Sequence, residues 1–294
     1  NFKKMKIALC TDNRYAMPCG VCIASIFENN KRETLEIVIL TNGLKETERR
    51  NFEILAEKYE RRVQIITVKD EMFARLTVSD RFPISIYYRF LLPQILNTED
   101  KVLYLDCDII VNQSLEKLWD VEIGEYACAA VENQSSDDIR NQNRIGIFST
   151  YLNSGVLLMN LNYWRTHHIS EKLAQYMGEH LNNWYPDQDA LNAILYEKVL
   201  FLPYTYNFQD LWYGNKADLF IHRSKWDDIE KYKNNPVIIH FCNKVKPWHL
   251  ECVHPLKTIF ERYKEKTPWK DYPLKHAFPL KYRMINFLKK LLKS

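Results

Sequence analysis

The sequence predicts an α/β protein with a mostly parallel central sheet flanked by helices. Two observations carry this reading. Short runs that are apolar on both faces alternate with amphipathic helical patterns through the first 130 residues, the pattern of a sheet buried on both sides. The composition is 46% hydrophobic and 13% aromatic with only 7 Gly in 294 residues, ample for one core and poor in flexible linker.

Taken in order, Lys6–Cys10, Leu35–Leu40, Gln64–Val68 and Val102–Leu105 read as strands. Between them, Lys45–Glu60 sets Phe52, Leu55, Ala56 and Tyr59 at helical spacing, with charges elsewhere. Cys19-Gly-Val-Cys22 has no second pair at zinc spacing and reads as helix packing. Ala127–Val131 and Ser154–Asn160 are further strands. The polar stretch 132–150 has no period and reads as a long loop, a candidate lid. Helical patterns cover 162–182 and 187–197, and a last apolar run, Pro236–Phe241, ends the alternation. In such sheets ligands sit beyond the carboxyl ends of the strands, so the places to search are just after Cys10, around Asp106 and after Ile239. One domain over 1–267 and a basic tail over 268–294 are expected.

The net charge of +4 is uneven: residues 270–294 hold seven Lys/Arg and one Asp, leaving about −2 for the remainder. The body is therefore not a nucleic-acid-binding surface. The seven cysteines are odd in number and scattered among apolar stretches, as expected of reduced thiols in the cytoplasm. Lys3–Cys10 has too few apolar residues for a signal-peptide core, and no run approaches the roughly 18 that a membrane span needs. In the tail, Ile285, Leu288, Leu291 and Leu292 form one helical stripe flanked by Lys289, Lys290 and Lys293. That is the pattern of an interfacial helix drawn to an anionic membrane surface, here the inner face of the cytoplasmic membrane; a terminal helix packed on its own domain is the plainer reading.

The strongest chemical signal is Lys101-Val-Leu-Tyr-Leu-Asp106-Cys-Asp108-Ile-Ile-Val111. Two carboxylates interrupt a buried run, and residues two apart on a strand share a face. Such a pair is costly unless something positive meets it, and after Lys101 the run holds no Lys or Arg. A divalent cation would answer the need and could hold a diphosphate in turn, although paired aspartates also simply close strands at a surface. The run ending in His240 supplies a candidate third ligand, and Lys244 and Lys246 follow closely enough to neutralise a departing diphosphate. A mixed imidazole and carboxylate set suits Mn²⁺, with Mg²⁺ a second choice.

These residues, with Thr11-Asp12-Asn13-Arg14-Tyr15, Tyr87-Tyr88-Arg89, Asn153-Ser154-Gly155-Val156, Asp187-Gln188-Asp189 and Lys246-Pro247-Trp248, fall in an order that resembles glycosyltransferase family 8. The bacterial lipopolysaccharide α-galactosyl- and glucosyltransferases are the members it is most similar to. The resemblance implies a GT-A-type single domain with a Rossmann-like nucleotide-binding half. It also implies retaining transfer of glucose or galactose from UDP-glucose or UDP-galactose to a glycan or glycolipid. Cys10, Thr11 and Asp12 would line the uridine pocket, and Arg14 stands where the family often has Asn for a ribose contact. Asp106 would touch ribose and metal; Asp108 and His240 would complete the metal set. Arg89, carried on a helix, would contact donor sugar or diphosphate, and Lys246 would grip the diphosphate. Asn153, Ser154, Asp187 and Gln188 would line the sugar pocket, with Gln188 and Asp189 the candidates for any nucleophile. Cys242 and Asn243 would lie on the acceptor side, Asn243 replacing a frequent Gly. Same-face attack is preferred over a covalent intermediate, since an amide is a poor nucleophile. A non-catalytic sugar-nucleotide or carbohydrate-binding module is the rival class. A D-x-D phosphatase, which carries its motif on the first strand, is a weaker one.

Overall fold

A computed structural model describes residues 4–69, 83–180, 184–214 and 221–283. Among them, strands β1 (Met5–Cys10), β2 (Leu35–Thr41), β3 (Arg62–Thr67), β4 (Lys101–Leu105), β6 (Cys128–Glu132), β7 (Leu152–Asn160) and β8 (Val199–Phe201) form one sheet in the order β3-β2-β1-β4-β7-β6-β8. β5 (Ile109–Val111), β10 (Ile238–His240) and β9 (Phe208–Gln209) form a second, smaller sheet in the order β5-β10-β9. In the large sheet β7 runs antiparallel to both β4 and β6, and the other pairings are parallel.

The helices are α1 (Ala16–Asn29), α2 (Glu46–Tyr59), α3 (Leu92–Ile95), α4 (Glu116–Trp119), α5 (Ile139–Ile145), α6 (Leu161–Thr166), α7 (Ile169–Glu179), α8 (Pro186–Leu195), α9 (Trp226–Tyr232) and α10 (Lys257–Lys264). They divide the core into two main clusters. On one face Ile7, Leu9, Ile37, Ile39, Leu103 and Leu105 pack with α1 and α2. On the other, Ala8, Val38, Leu40, Val102 and Tyr104 pack with Tyr88, Trp164, Leu173 and Leu191. The alternation along each strand sends neighbours to opposite clusters, which is why these strands read as continuously apolar.

Two expectations change. The stretch 132–150 is not all loop: α5 forms there, Asp138 accepting the Arg140 N–H at 3.0 Å as its cap and Gly146 closing it at φ 70°. Asp106 and Asp108 do not share a strand face, because β4 stops at Leu105 and β5 starts at Ile109, with a turn between. Arg89 stands on a helix as expected, of the 3₁₀ type, Ile84–Leu91. The Cys19/Cys22 pair packs inside α1 with both thiols buried.

The start of the expected tail packs against the body. Trp269 is fully buried in the α1/α2 core, its indole N–H donates to Glu48 Oε2 at 2.5 Å, and its ring lies 4.9 Å from Phe52. A Cβ on Gly20 would come within 2.1 Å of that ring, so the glycine makes the room. The amphipathic stripe from Ile285 onward lies outside the described residues. Among the described residues no helix is long and apolar enough to cross a membrane.

Candidate active site

The turn carrying the two aspartates is stitched between the sheets. The Asp106 N–H donates to the Gly155 carbonyl of β7 at 2.8 Å, and the Phe241 N–H after β10 donates to the Asp108 carbonyl at 2.9 Å. These bonds bring His240, at the end of β10, to the carboxylates. One ligand atom from each of Asp106, Asp108 and His240 lies within 4.8 Å of the others. Close approach depends on Gly155: a Cβ there would meet His240 Cε1 at 2.3 Å, His240 Nδ1 at 2.9 Å and Asp106 Oδ2 at 3.0 Å. The residue types and spacing fit a divalent cation. Two hard oxygens and one imidazole face a common point, and the carboxylates carry the charge that a cation would balance.

Cations from distant parts of the chain already meet both carboxylates. Lys246 Nζ lies 2.6 Å from Asp108 Oδ2 and also donates to the Phe241 carbonyl at 2.5 Å. His240 Nε2 lies 3.3 Å from Asp108 Oδ1. Burial alone would raise the Asp108 carboxyl, but the Lys246 ammonium and then His240 outweigh it and hold it well below the ordinary carboxylate range. Lys246 is correspondingly held above the usual lysine value: burial would lower it, and Asp108 outweighs burial.

Arg89 plays the same part for the other acidic pair. It is 2% exposed, and its guanidinium reaches the Ser154 carbonyl at 2.7 Å, Asp106 Oδ1 at 3.1 Å and Asp187 Oδ2 at 3.3 Å. It also stacks over the Tyr104 ring at 4.2 Å, while the Tyr104 hydroxyl donates to Asp106 Oδ1 at 2.7 Å. Arg89 is thus a buried link between Asp106 and Asp187. Asp187 is pushed above its ordinary value by burial, with Arg89 opposing. Ser154 joins the same group: its N–H donates to Gln188 Oε1 at 3.0 Å and its hydroxyl to Asp187 Oδ2 at 3.3 Å. Pro186 opens α8, so Asp187 and Gln188 stand in its first turn, where carboxylates are favoured.

Asp189, one residue further, faces elsewhere. It is fully buried; Arg144 holds both its oxygens, at 3.0 and 2.6 Å, and the Tyr151 hydroxyl and Tyr185 N–H also donate to it. Arg144 also lies over the Trp184 ring at 5.2 Å, so this clamp ties α5 to the start of α8. At the end of β1, Cys10 and Thr11 are buried, and the Cys107 thiol between the two aspartates donates to the Cys10 carbonyl at 3.2 Å. Asp12 caps the next turn, accepting from the Arg14 and Tyr15 N–H groups at 2.8 and 3.0 Å, and its second oxygen meets Arg14 Nε at 3.3 Å. Asn243 donates its N–H to Asp210 Oδ2 at 2.5 Å, and His254 Nε2 lies 3.2 Å from Asp210 Oδ1. Burial raises the neighbouring Cys242 thiol, with Asp210 adding to it.

The sequence reading missed Asn207, Arg144 and Asp210. Asn207 is fully buried and accepts from His240 Nδ1 at 2.9 Å. Its only cue was a polar residue next to the short apolar step at Phe208.

The family model of glycosyl transferase family 8 matches residues 6–252. The chain belongs to this family. General stress protein A of Bacillus subtilis is 28% identical over 90% of this chain and 94% of its own length. The lipopolysaccharide glucosyltransferase WaaO of Escherichia coli is 29% identical over 97% and 86%. The lipopolysaccharide 1,3-galactosyltransferase of Salmonella typhimurium is 27% identical over 90% and 79%. Among solved structures, the galactosyltransferase LgtC in complex with donor and acceptor sugar analogs superposes with a TM-score of 0.81 at 26% identity, covering 95% of this chain and 99% of that one. The fold is therefore GT-A, as the family resemblance implied.

Proposed function

We propose that this family 8 glycosyltransferase is a retaining, metal-dependent hexosyltransferase. It takes glucose or galactose from a UDP-sugar and passes it to a glycan or glycolipid. The observation that carries the reading is the convergence of Asp106, Asp108 and His240 on one point within 4.8 Å, inside the family's matched region. Mn²⁺ is the preferred occupant, with Mg²⁺ the alternative; when bound, it supplies positive charge against the departing diphosphate.

The chain's own groups then divide the remaining work. Cys10, Thr11 and Asp12 are assigned to uridine, with Arg14 at the ribose side. Lys246 shares its charge between Asp108 and the diphosphate. Arg89 fixes Asp106 and Asp187 in place, four of its five N–H groups meeting protein, and is assigned to the donor sugar or diphosphate at that junction. Asn153, Ser154, Asp187 and Gln188 hold the hexose hydroxyls. Cys242 and Asn243 face the acceptor. Gln188 Oε1 is engaged by the Ser154 N–H and Asp189 is clamped by Arg144, which supports attack on the same face over a covalent intermediate. The acceptor hydroxyl then bonds to the anomeric carbon as the diphosphate leaves with the electron pair, and the hydroxyl proton passes to a phosphate oxygen. The lipopolysaccharide glucosyl- and galactosyltransferases among the relatives favour a lipid-linked saccharide acceptor. A cytoplasmic enzyme held at the membrane by its basic C-terminal residues fits that acceptor. The working division is a catalytic domain over 1–267 with the tail 268–294, whose first residues dock on the domain through Trp269.

The test is UDP release from UDP-glucose and UDP-galactose with Mn²⁺ or EDTA, with and without a lipopolysaccharide-core acceptor. Mn²⁺-dependent release is expected from one donor, falling at least about 100-fold in Asp108→Asn. No release from either donor would return the chain to the binding-module class, and EDTA-insensitive release would remove the metal.

A further inference from the structure

The ring of His240 is held by a relay of fixed polarity. Its origin is the Gly155 N–H, a backbone donor that cannot reverse. It donates to the Asn153 side-chain oxygen at 3.0 Å. Asn153 therefore presents oxygen on this side, and the Asn207 group that meets it at 2.8 Å is the amide Nδ2. Asn207 then has its carbonyl oxygen left for His240, 2.9 Å from Nδ1. An oxygen acceptor requires a proton on Nδ1, so Nε2, the nitrogen on the Asp108 side, is the one that can offer a lone pair to a cation. Asn153, Asn207 and His240 are all buried, at 4%, 0% and 3% exposure, so water does not compete for these bonds.

We propose that Asn207 is a positioning residue serving two parts of the site at once. Its oxygen fixes the rotation and proton position of the metal-facing His240, and its amide nitrogen fixes Asn153 beside the donor-sugar residue Ser154. The inference rests on the metal reading given under Proposed function for its binding readout, but not for its structural one. One side chain spanning both places means that metal affinity and donor affinity are separable at Asn207. In Asn207→Asp the acceptor toward His240 Nδ1 remains while the donor toward Asn153 is lost. In Asn207→Leu, of similar size, both are lost.

The experiment uses the full chain. Mn²⁺ binding to the donor-free protein is followed by electron paramagnetic resonance, UDP-sugar KM is measured at saturating Mn²⁺, and folding is checked by thermal melting. Asn207→Leu is expected to weaken Mn²⁺ by about 10- to 100-fold. Asn207→Asp should keep Mn²⁺ binding within about threefold while raising the donor KM. Leu binding Mn²⁺ as tightly as the parent, or Asp and Leu losing metal equally while both remain folded, overturns the proposal. Nitrogen-15 NMR of histidine-labelled, metal-free parent decides the relay without either variant: a protonated Nδ1 on His240 supports it, and a bare Nδ1 overturns it. If the parent takes up no Mn²⁺, the metal reading fails while the NMR result still decides the relay.

Discussion

Gly155→Ala tests whether the approach of His240 to Asp106 is the centre of the site. The added Cβ would lie 2.3 Å from His240 Cε1, where ordinary contact begins near 3.4 Å. One partner must retreat by about 1 Å, enough to disturb a positioned group by about 100-fold in rate. The strand itself is held here from the β4 side, by the Asp106 N–H bonded to the Gly155 carbonyl and the Leu105–Val156 pairing. The imidazole therefore moves, and with it the bond to Asn207. We expect kcat/KM for UDP release to fall about 100-fold, equivalent to about 2.7 kcal/mol. The Mn²⁺ concentration for half-maximal rate should rise. Overpacking should cost about 1–3 kcal/mol of stability, seen as a lower melting temperature. The assay is UDP release across a Mn²⁺ series, with melting as the control for folding. An Ala variant with rate and Mn²⁺ dependence within about threefold of the parent would refute the argument.

Two other perturbations follow from the buried charges. Arg89→Met leaves Asp106 and Asp187 without their shared cation, so chemical denaturation should show a loss of about 3–5 kcal/mol; an unchanged midpoint would mean the guanidinium is dispensable. Asp210 is raised above its ordinary value, chiefly by burial, so its stabilising contribution is full below the unfolded aspartate value near 4 and is lost as pH rises through the higher folded value. Asp210→Asn can keep an acceptor for the Asn243 N–H, and its melting temperature relative to the parent should rise as pH increases from about 4. A difference that is flat with pH would contradict the assigned burial cost.

Much of this was legible in the sequence because burial on both faces leaves its mark on local composition. β1, β2 and β4 are apolar at nearly every position, and their limits were read to within a residue. The carboxylate pair was legible as an anomaly within such a run, but the geometric reason given for it was wrong. Strand alternation and a tight turn both bring residues two apart together, and the sequence pattern does not separate them. The cations were not legible locally: Arg89 is 17 residues and Lys246 138 residues from the aspartates they meet. Asp189 reads as a nucleophile candidate because its partner Arg144 sits in a stretch without visible period. That stretch hid α5, since seven residues complete too few turns to show an amphipathic rhythm, although Asp138 and Gly146 marked both its ends. Asn207 carried no pattern at all, because its side-chain partners, Asn153 and His240, lie 54 and 33 residues away in the chain.

The insertion of Trp269 beside Gly20 governs how the basic C-terminal residues can be studied. A shortened protein ending at 267 would lack the indole that fills the space over α1 and α2 and would leave Glu48 facing an empty slot. Poor yield or lost lipid binding from such a protein would report a damaged interior. A stop codon after Arg283 spares that wedge, so any change in partitioning onto vesicles could then be credited to the residues removed.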